Sequence, residues 1–151
     1  NPANRMHGVA QHALPVLRHL VPATKGIASD IAKPLSTELG YDRVPLHAAH
    51  SLRAFFRLAD RDLPQVTQPL LLMRSPQDHV VPPADSARIL GRVSSTDVTE
   101  VLLEQSYHVA TLDHDAVRIF AESVAFIGRL APGSVGEPEP GLGKEGTTTG
   151  G

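Results

Sequence analysis

Residues 69–86 read PLLLMRSPQDHVVPPADS, and this stretch decides the fold. Its apolar run, QPLLLMRS when Gln68 is included, breaks off at the turn-rich SPQDHVVPP. Consecutive apolar residues without polar alternation, closed by Ser-Pro, have the form of a short strand buried on both faces. Pro83 then supplies a preset first helical turn for a segment running through Ala87, Ile89 and Leu90. Val98 to Leu103 reads as a second strand, and the loop EQSYHVATL (104–112) leads to a closing helix. That helix is expected to take Asp113 as its N-cap, with His114 and Asp115 in its polar first turn. Its Val117, Phe120, Ala121, Val124 and Ile127 share one face. Strand, helix, strand, helix implies a right-handed crossover and a parallel sheet, so the fold class is α/β.

Upstream, from about Val9 to Leu63, the texture changes to helices interrupted by prolines. Val9, Ala13, Val16, Leu17 and Leu20 lie at helical spacing, and Pro15 must start or kink that helix. A second helix is expected with Ser51 as its N-cap and Leu52, Phe55, Phe56, Ala59 and Leu63 along one side. Downstream, PGSVGEPEPGLGKEGTTTGG begins at Pro132 and contains almost nothing apolar. It cannot bury enough surface to offset its ordering entropy, so residues 132–151 are expected to be a disordered tail. The chain thus divides into a helical cap at 9–63, a strand–helix core at 64–131 and that tail.

A net charge of −2 gives no electrostatic case for nucleic acid or an anionic membrane. Cysteine is absent, which excludes disulfides and a thiolate nucleophile. No apolar run reaches the length of a transmembrane segment. The opening NPANRMHG is neither a signal peptide nor an initiator Met. Two strands do not make a stable parallel sheet, so further strands are expected before Asn1, and the chain reads as part of a longer protein. Cytoplasm is the default compartment.

In an open parallel sheet, ligands bind outside the carboxyl ends of the strands. Asp78 lies three residues beyond Ser75, and His108 lies five residues beyond Leu103, each on a loop leaving such an end. Neighbouring strands would bring an Asp and a His to one edge, the pairing that a serine hydrolase uses to orient and charge its base. Any Asp and any His on two loops would satisfy this geometry. A turn carboxylate bonding its own backbone, and an exposed loop histidine, are the plain alternatives.

The surrounding words are more specific. PLLLMRSPQDHVVPPADS, followed by LLEQSYHVATLDHD (102–115), resembles the bacterial carboxylesterases and thermostable monoacylglycerol lipases of the α/β-hydrolase superfamily. There a strand leads into an S-x-x-D-H-V-V-x-P loop bearing the catalytic acid, and a later S-x-H-V-x-x-L-D loop bears the base. The resemblance covers about Leu63 to Ile127 and implies Asp78 as acid and His108 as base. More loosely, YDRVPLHAAHSLRAFFRLADRDLPQV (41–66) is similar to the segment joining the lid to the acid-bearing strand. Asn1 and Pro2 are similar to the residues that leave a core strand, which assigns that place to residues 1–8. The implied architecture is the C-terminal part of an α/β-hydrolase fold preceded by a helical cap.

The resemblance also implies a serine-type hydrolase of short- to medium-chain carboxylic or monoacylglycerol esters, with no cofactor or metal. Acyltransferase, haloperoxidase, peptidase or a non-catalytic binding module are the rival readings on the same fold. This sequence departs from the family pattern in containing no G-x-S-x-G. Pro132-Gly-Ser-Val-Gly136 imitates it without the first glycine. The serine and the oxyanion hole are therefore expected in an N-terminal half outside this sequence, as a partner without which the chain should be inactive. His79 is expected to turn away from the chemistry and set its loop. His47 and His50 could share a helix face, but none of the eight histidines falls in a zinc motif. Val16, Leu17, Leu20, Phe55 and Phe56 could serve both as packing and as an acyl-binding lid.

Overall fold

The computed structural model describes residues 2–3, 5–7, 10–26 and 29–132. Helix α1 (Ala10–Leu20) carries Pro15 in its interior. Strands β1 (Ala23–Lys25) and β2 (Arg43–Pro45) pair antiparallel. Helix α2 (Leu46–Asp62) follows β2 directly and ends in a single 3₁₀ turn at Leu63–Gln65. Strand β3 (Leu70–Arg74), helix α3 (Pro83–Leu90) and strand β4 (Val98–Leu102) form the crossover unit. A 3₁₀ turn at Ala110–Leu112 then precedes helix α4 (Ala116–Leu130). β3 and β4 pair parallel with Leu72 opposite Glu100, as the strand–helix–strand order requires.

Among the described residues, two small cores hold these elements. Leu14, Leu46 and Ala49 are buried between α1 and α2, with Met6 and Val44 against them. Val101, Leu103 and Ala110 form the second, joined by Leu71, Met73 and Ile119. The cores meet through polar contacts. Arg88 on α3 grips Asp60 on α2 with two bonds of 2.7 Å, and Arg5 and His7 reach the buried Asp85 at 3.1 and 2.9 Å. The planar guanidinium suits the first of these because it presents two parallel donors to one carboxylate.

Several expectations are corrected. The cap is not purely helical, since β1 and β2 stand in its middle. Three-residue strands are too short to display a period of two. At Gly26, which closes this pair, a Cβ would collide with the Tyr41 carbonyl, so the two backbones approach only because that position is glycine. Helix α2 begins at Leu46 and not after Ser51. Pro45 is extended there (φ −62°, ψ 128°), while the Ser51 hydroxyl lies inside the helix and donates to the His47 carbonyl at 3.2 Å. β3 is less enclosed than a fully buried strand: Leu72 alone in it is buried, because one strand and α3 and α4 provide its cover.

The stripe on α4 exists but faces out. Val117, Phe120, Val124 and Ile127 are 79, 58, 50 and 50% exposed, while Ile119 meets the core. Periodicity tells which residues share a face, not whether that face is covered. Residues 1, 9 and 133–151, and with them most of the expected tail and the serine of Pro132–Gly136, lie outside the described residues. Among the described residues no helix is long and apolar enough to cross a membrane.

Candidate active site

The parallel pairing of β3 with β4 sends the loops after Arg74 and after Leu102 from the same end of the sheet. Both loops are rooted by buried hydroxyls. The Ser75 hydroxyl donates to the Ser106 carbonyl and accepts from the Gln77 amide at 2.9 Å. The Ser106 hydroxyl donates to Asp115 Oδ2 at 2.8 Å and accepts from the Asp115 amide at 2.9 Å. Asp115 Oδ2 also takes the Gln105 amide at 2.9 Å, and Gln77 Nε2 donates to the Glu104 carbonyl at 2.6 Å. Ser75, Ser106 and Asp115 are all buried, so the bonds among them are made away from competing water, whereas the Gln77 side-chain bond is exposed.

On this footing Asp78 and His108 meet. Asp78 Oδ2 lies 2.8 Å from His108 Nδ1. Asp78 Oδ1 accepts the amides of Val80 and Val81, each at 2.7 Å. The carboxylate is thus both a turn former and the partner of the imidazole, with one oxygen for each task. Its side chain is fully buried, whereas that of His108 is 31% exposed. Against a carboxylate, Nδ1 carries the proton, which leaves Nε2 of the neutral ring as a proton acceptor.

A third group joins them. Asp30, from the loop between β1 and β2, lies close to both turns. Its Oδ2 accepts the backbone amides of His79 and His108, both at 3.1 Å, and its Oδ1 lies 2.8 Å from His79 Nδ1. Burial pushes the Asp30 carboxyl up, but the His79 imidazole and the two amides outweigh it and hold it below the usual carboxylate range. His79 also sets its ring edge-on to Tyr107, with centroids 4.6 Å apart. Its ring thus faces Asp30 and Tyr107.

Asp113 is not the N-cap of α4, a position held by Asp115. It is buried, and its carboxylate accepts the amides of Ala32 (2.7 Å), Lys33 (2.9 Å), Tyr107 (2.9 Å) and His114 (2.8 Å). Burial raises its pKa, yet these amides together bring it below the usual range. The side chain was expected to serve its own helix, and instead fastens a distant segment to the loop that carries His108.

A cavity of about 380 Å³ opens beside His108, lined by the apolar Met73, Leu103, Val109, Ala110 and Ile119 and by the polar Glu38 and Thr111. Val16, Leu17, Leu20, Phe55 and Phe56 do not line it. Phe56 instead borders a separate cleft with Arg5, Arg53, Arg57 and Arg88. Among the described residues no three His, Asp or Glu side chains converge to hold a metal ion. His50 lies 3.0 Å from Arg18 Nη1, and His47 packs edge-on against His19.

Sequence reasoning paired Asp78 with His108, and the structure brings these two side chains together. It missed the contacts of Ser75, Ser106, Asp115 and Asp30. Asp30 offers no signal in the sequence, being a single Asp in an irregular segment 49 residues from His79 and 78 from His108.

The chain as a whole is similar to known proteins. The chain is 36% identical over 105 residues to the thermostable monoacylglycerol lipase of Bacillus sp. (strain H-257), a match spanning 70% of this chain and 42% of that protein. A solved structure from the work on LipS and LipT, two metagenome-derived lipolytic enzymes, superposes with a TM-score of 0.79 at 38% identity. It covers 84% of this chain and 52% of its own. The monoacylglycerol lipase of Paleococcus ferrophilus shares the fold, with a TM-score of 0.60 at 17% identity over 83% of this chain and 53% of that one. The chain therefore spans about half the length of these relatives, or less. The profile of the family described as serine aminopeptidase, S33, matches residues 28–115, and the chain belongs to that family of α/β-hydrolases.

Proposed function

We propose that this chain carries the acid and base of a serine-type carboxylic ester hydrolase, acting on short- to medium-chain carboxylic or monoacylglycerol esters. The observation that carries the reading is the 2.8 Å contact of Asp78 with His108 at the ends of adjacent parallel strands. The names of the relatives, lipolytic enzymes and a monoacylglycerol lipase, support the ester class.

The nucleophile and oxyanion donors would come from a segment outside this sequence, which contains no G-x-S-x-G. His108 Nε2 takes the proton of the serine hydroxyl as its oxygen bonds to the ester carbonyl carbon. The tetrahedral intermediate collapses, the C–O bond to the alcohol breaks, and His108 returns the proton to the leaving oxygen. Water then attacks the acyl-serine with its proton going to Nε2, and collapse releases the carboxylic acid while the proton returns to the serine. Asp78 stays ionised throughout, holding the Nδ1 tautomer and stabilising the imidazolium. The cavity beside His108 offers an acyl chain the apolar side chains of Met73, Leu103, Val109, Ala110 and Ile119, while Glu38 and Thr111 supply polar groups in the same lining.

The decisive experiment is hydrolysis of p-nitrophenyl butyrate by this chain alone and joined to the segment encoded immediately upstream. Turnover that needs the joined form and is lost in His108→Ala is the expected result. A folded, joined protein inert across ester lengths would sink it. The family description favours one second reading, cleavage of N-terminal amino acids. Aminoacyl p-nitroanilides cleaved faster than esters would select it.

A further inference from the structure

We infer that Asp30 is a positioning residue that locks the acid-bearing and base-bearing loops to each other, a role that rests on the acid–base reading of Asp78 and His108. The roots of the two loops are tied to each other by the Ser75 hydroxyl on the Ser106 carbonyl and by Gln77 Nε2 on the Glu104 carbonyl, but those ties precede Asp78 and His108 in the chain. At the functional residues themselves, the backbone of His108 and that of His79, next to the acid, share one carboxylate oxygen. The Asp30 carbonyl additionally accepts the Val109 amide at 3.1 Å. One residue therefore holds both sides of the acid–base pair, from a segment that contributes neither.

A carboxylate is required by the donor count. Three N–H groups converge on two oxygens of a side chain that is 14% exposed, and a carboxylate accepts them all without bringing a donor of its own. An Asn would turn an NH₂ toward one of those donors. The loop ends would then separate, and the 2.8 Å contact of Asp78 with His108 would lengthen. The segment is anchored a second time where Asp113 takes the amides of Ala32 and Lys33, so Asp30 is presented from a fixed backbone. It acts on the reaction only through where it places His108.

The test compares Asp30→Asn with wild type and His108→Ala in the protein joined to its upstream segment. Turnover is expressed per active site titrated with a fluorophosphonate, so that loss of folded protein does not enter kcat. The expected result is a fall in kcat of about 10- to 100-fold with KM changed by less than about twofold, since misplacement of a base affects the chemical step. A far-downfield proton resonance assigned to His108 Nδ1 should be seen in wild type and move or broaden in Asp30→Asn. A variant with kcat within about threefold of wild type, where His108→Ala is inactive, overturns the role of Asp30 and leaves the acid–base reading standing. Near-normal turnover in His108→Ala overturns both. Should Asp30→Asn fail to fold, hydrogen exchange on wild type decides. The amides of His79 and His108 should be protected together, and exchange of either at the rate of an unstructured chain overturns the proposal.

Discussion

Replacing Asp113 with alanine removes a buried carboxylate that accepts four backbone amides from three separated parts of the chain. The His114 bond is local and Lys33 is exposed, so water or the neighbouring backbone can replace part of what those two lose. Ala32 and Tyr107 are partly buried and contribute most of the cost. A hydrogen bond to a charged group stabilises by about 1.5–3 kcal/mol, and the two bonds together amount to about 3–6 kcal/mol. Relief from burying the charge offsets part of this, which brings the expected loss to about 2–4 kcal/mol. Equilibrium urea unfolding followed by circular dichroism measures it. The pH dependence is a second readout. Because the folded carboxyl titrates below its ordinary 3.8, its contribution is complete above that pH and is lost as the pH falls through the folded value. The gap between wild type and Asp113→Ala should therefore be full near neutrality and shrink below pH 3.8. A loss under about 1 kcal/mol at neutral pH, with the urea slope unchanged, would refute the reasoning.

Two further outcomes are expected. Asp78→Asn in the joined protein should lower kcat by about four orders of magnitude with little change in KM, because the amide can donate to Nδ1 and select the wrong tautomer; steady-state ester hydrolysis checks this, and a loss under about tenfold would count against Asp78. Leu35 sits fully exposed at φ 64°, after Pro34 in a turn where the Ser36 amide approaches the Lys33 carbonyl at 3.4 Å. Leu35→Gly should stabilise the protein by about 0.5–1 kcal/mol, as relief of the left-handed backbone exceeds the entropy of the added glycine; a drop in the urea midpoint would argue that the strain is not there.

Much of the core was legible because its signals are local. The apolar run at Leu70–Met73, the Pro83 helix start and the strand at Val98–Leu102 each fall where the sequence pattern puts them. The cap was harder to read. Helix α2 starts five residues before the serine that looked like its cap, because Pro45 sets an extended residue that no propensity scale distinguishes from a loop. β1 and β2 exist only through pairing across an intervening irregular segment.

The site divides along the same line. The types and order of Asp78 and His108 lie within two short words of sequence, and parallel pairing, itself a consequence of strand–helix–strand order, is enough to put them on one edge. The sequence by itself determined that edge, the crossover that builds it and the family to which the words belong. Only the tertiary structure decided what holds the edge still. Asp30, Asp113 and Asp115 are three aspartates with the same chemistry, and their roles depend on which backbone amides lie within hydrogen-bonding distance. For Asp30 those amides come from turns 49 and 78 residues away, brought close by packing of the cap against the core. A carboxylate's partners are set by distance in space, and no local pattern encodes that distance.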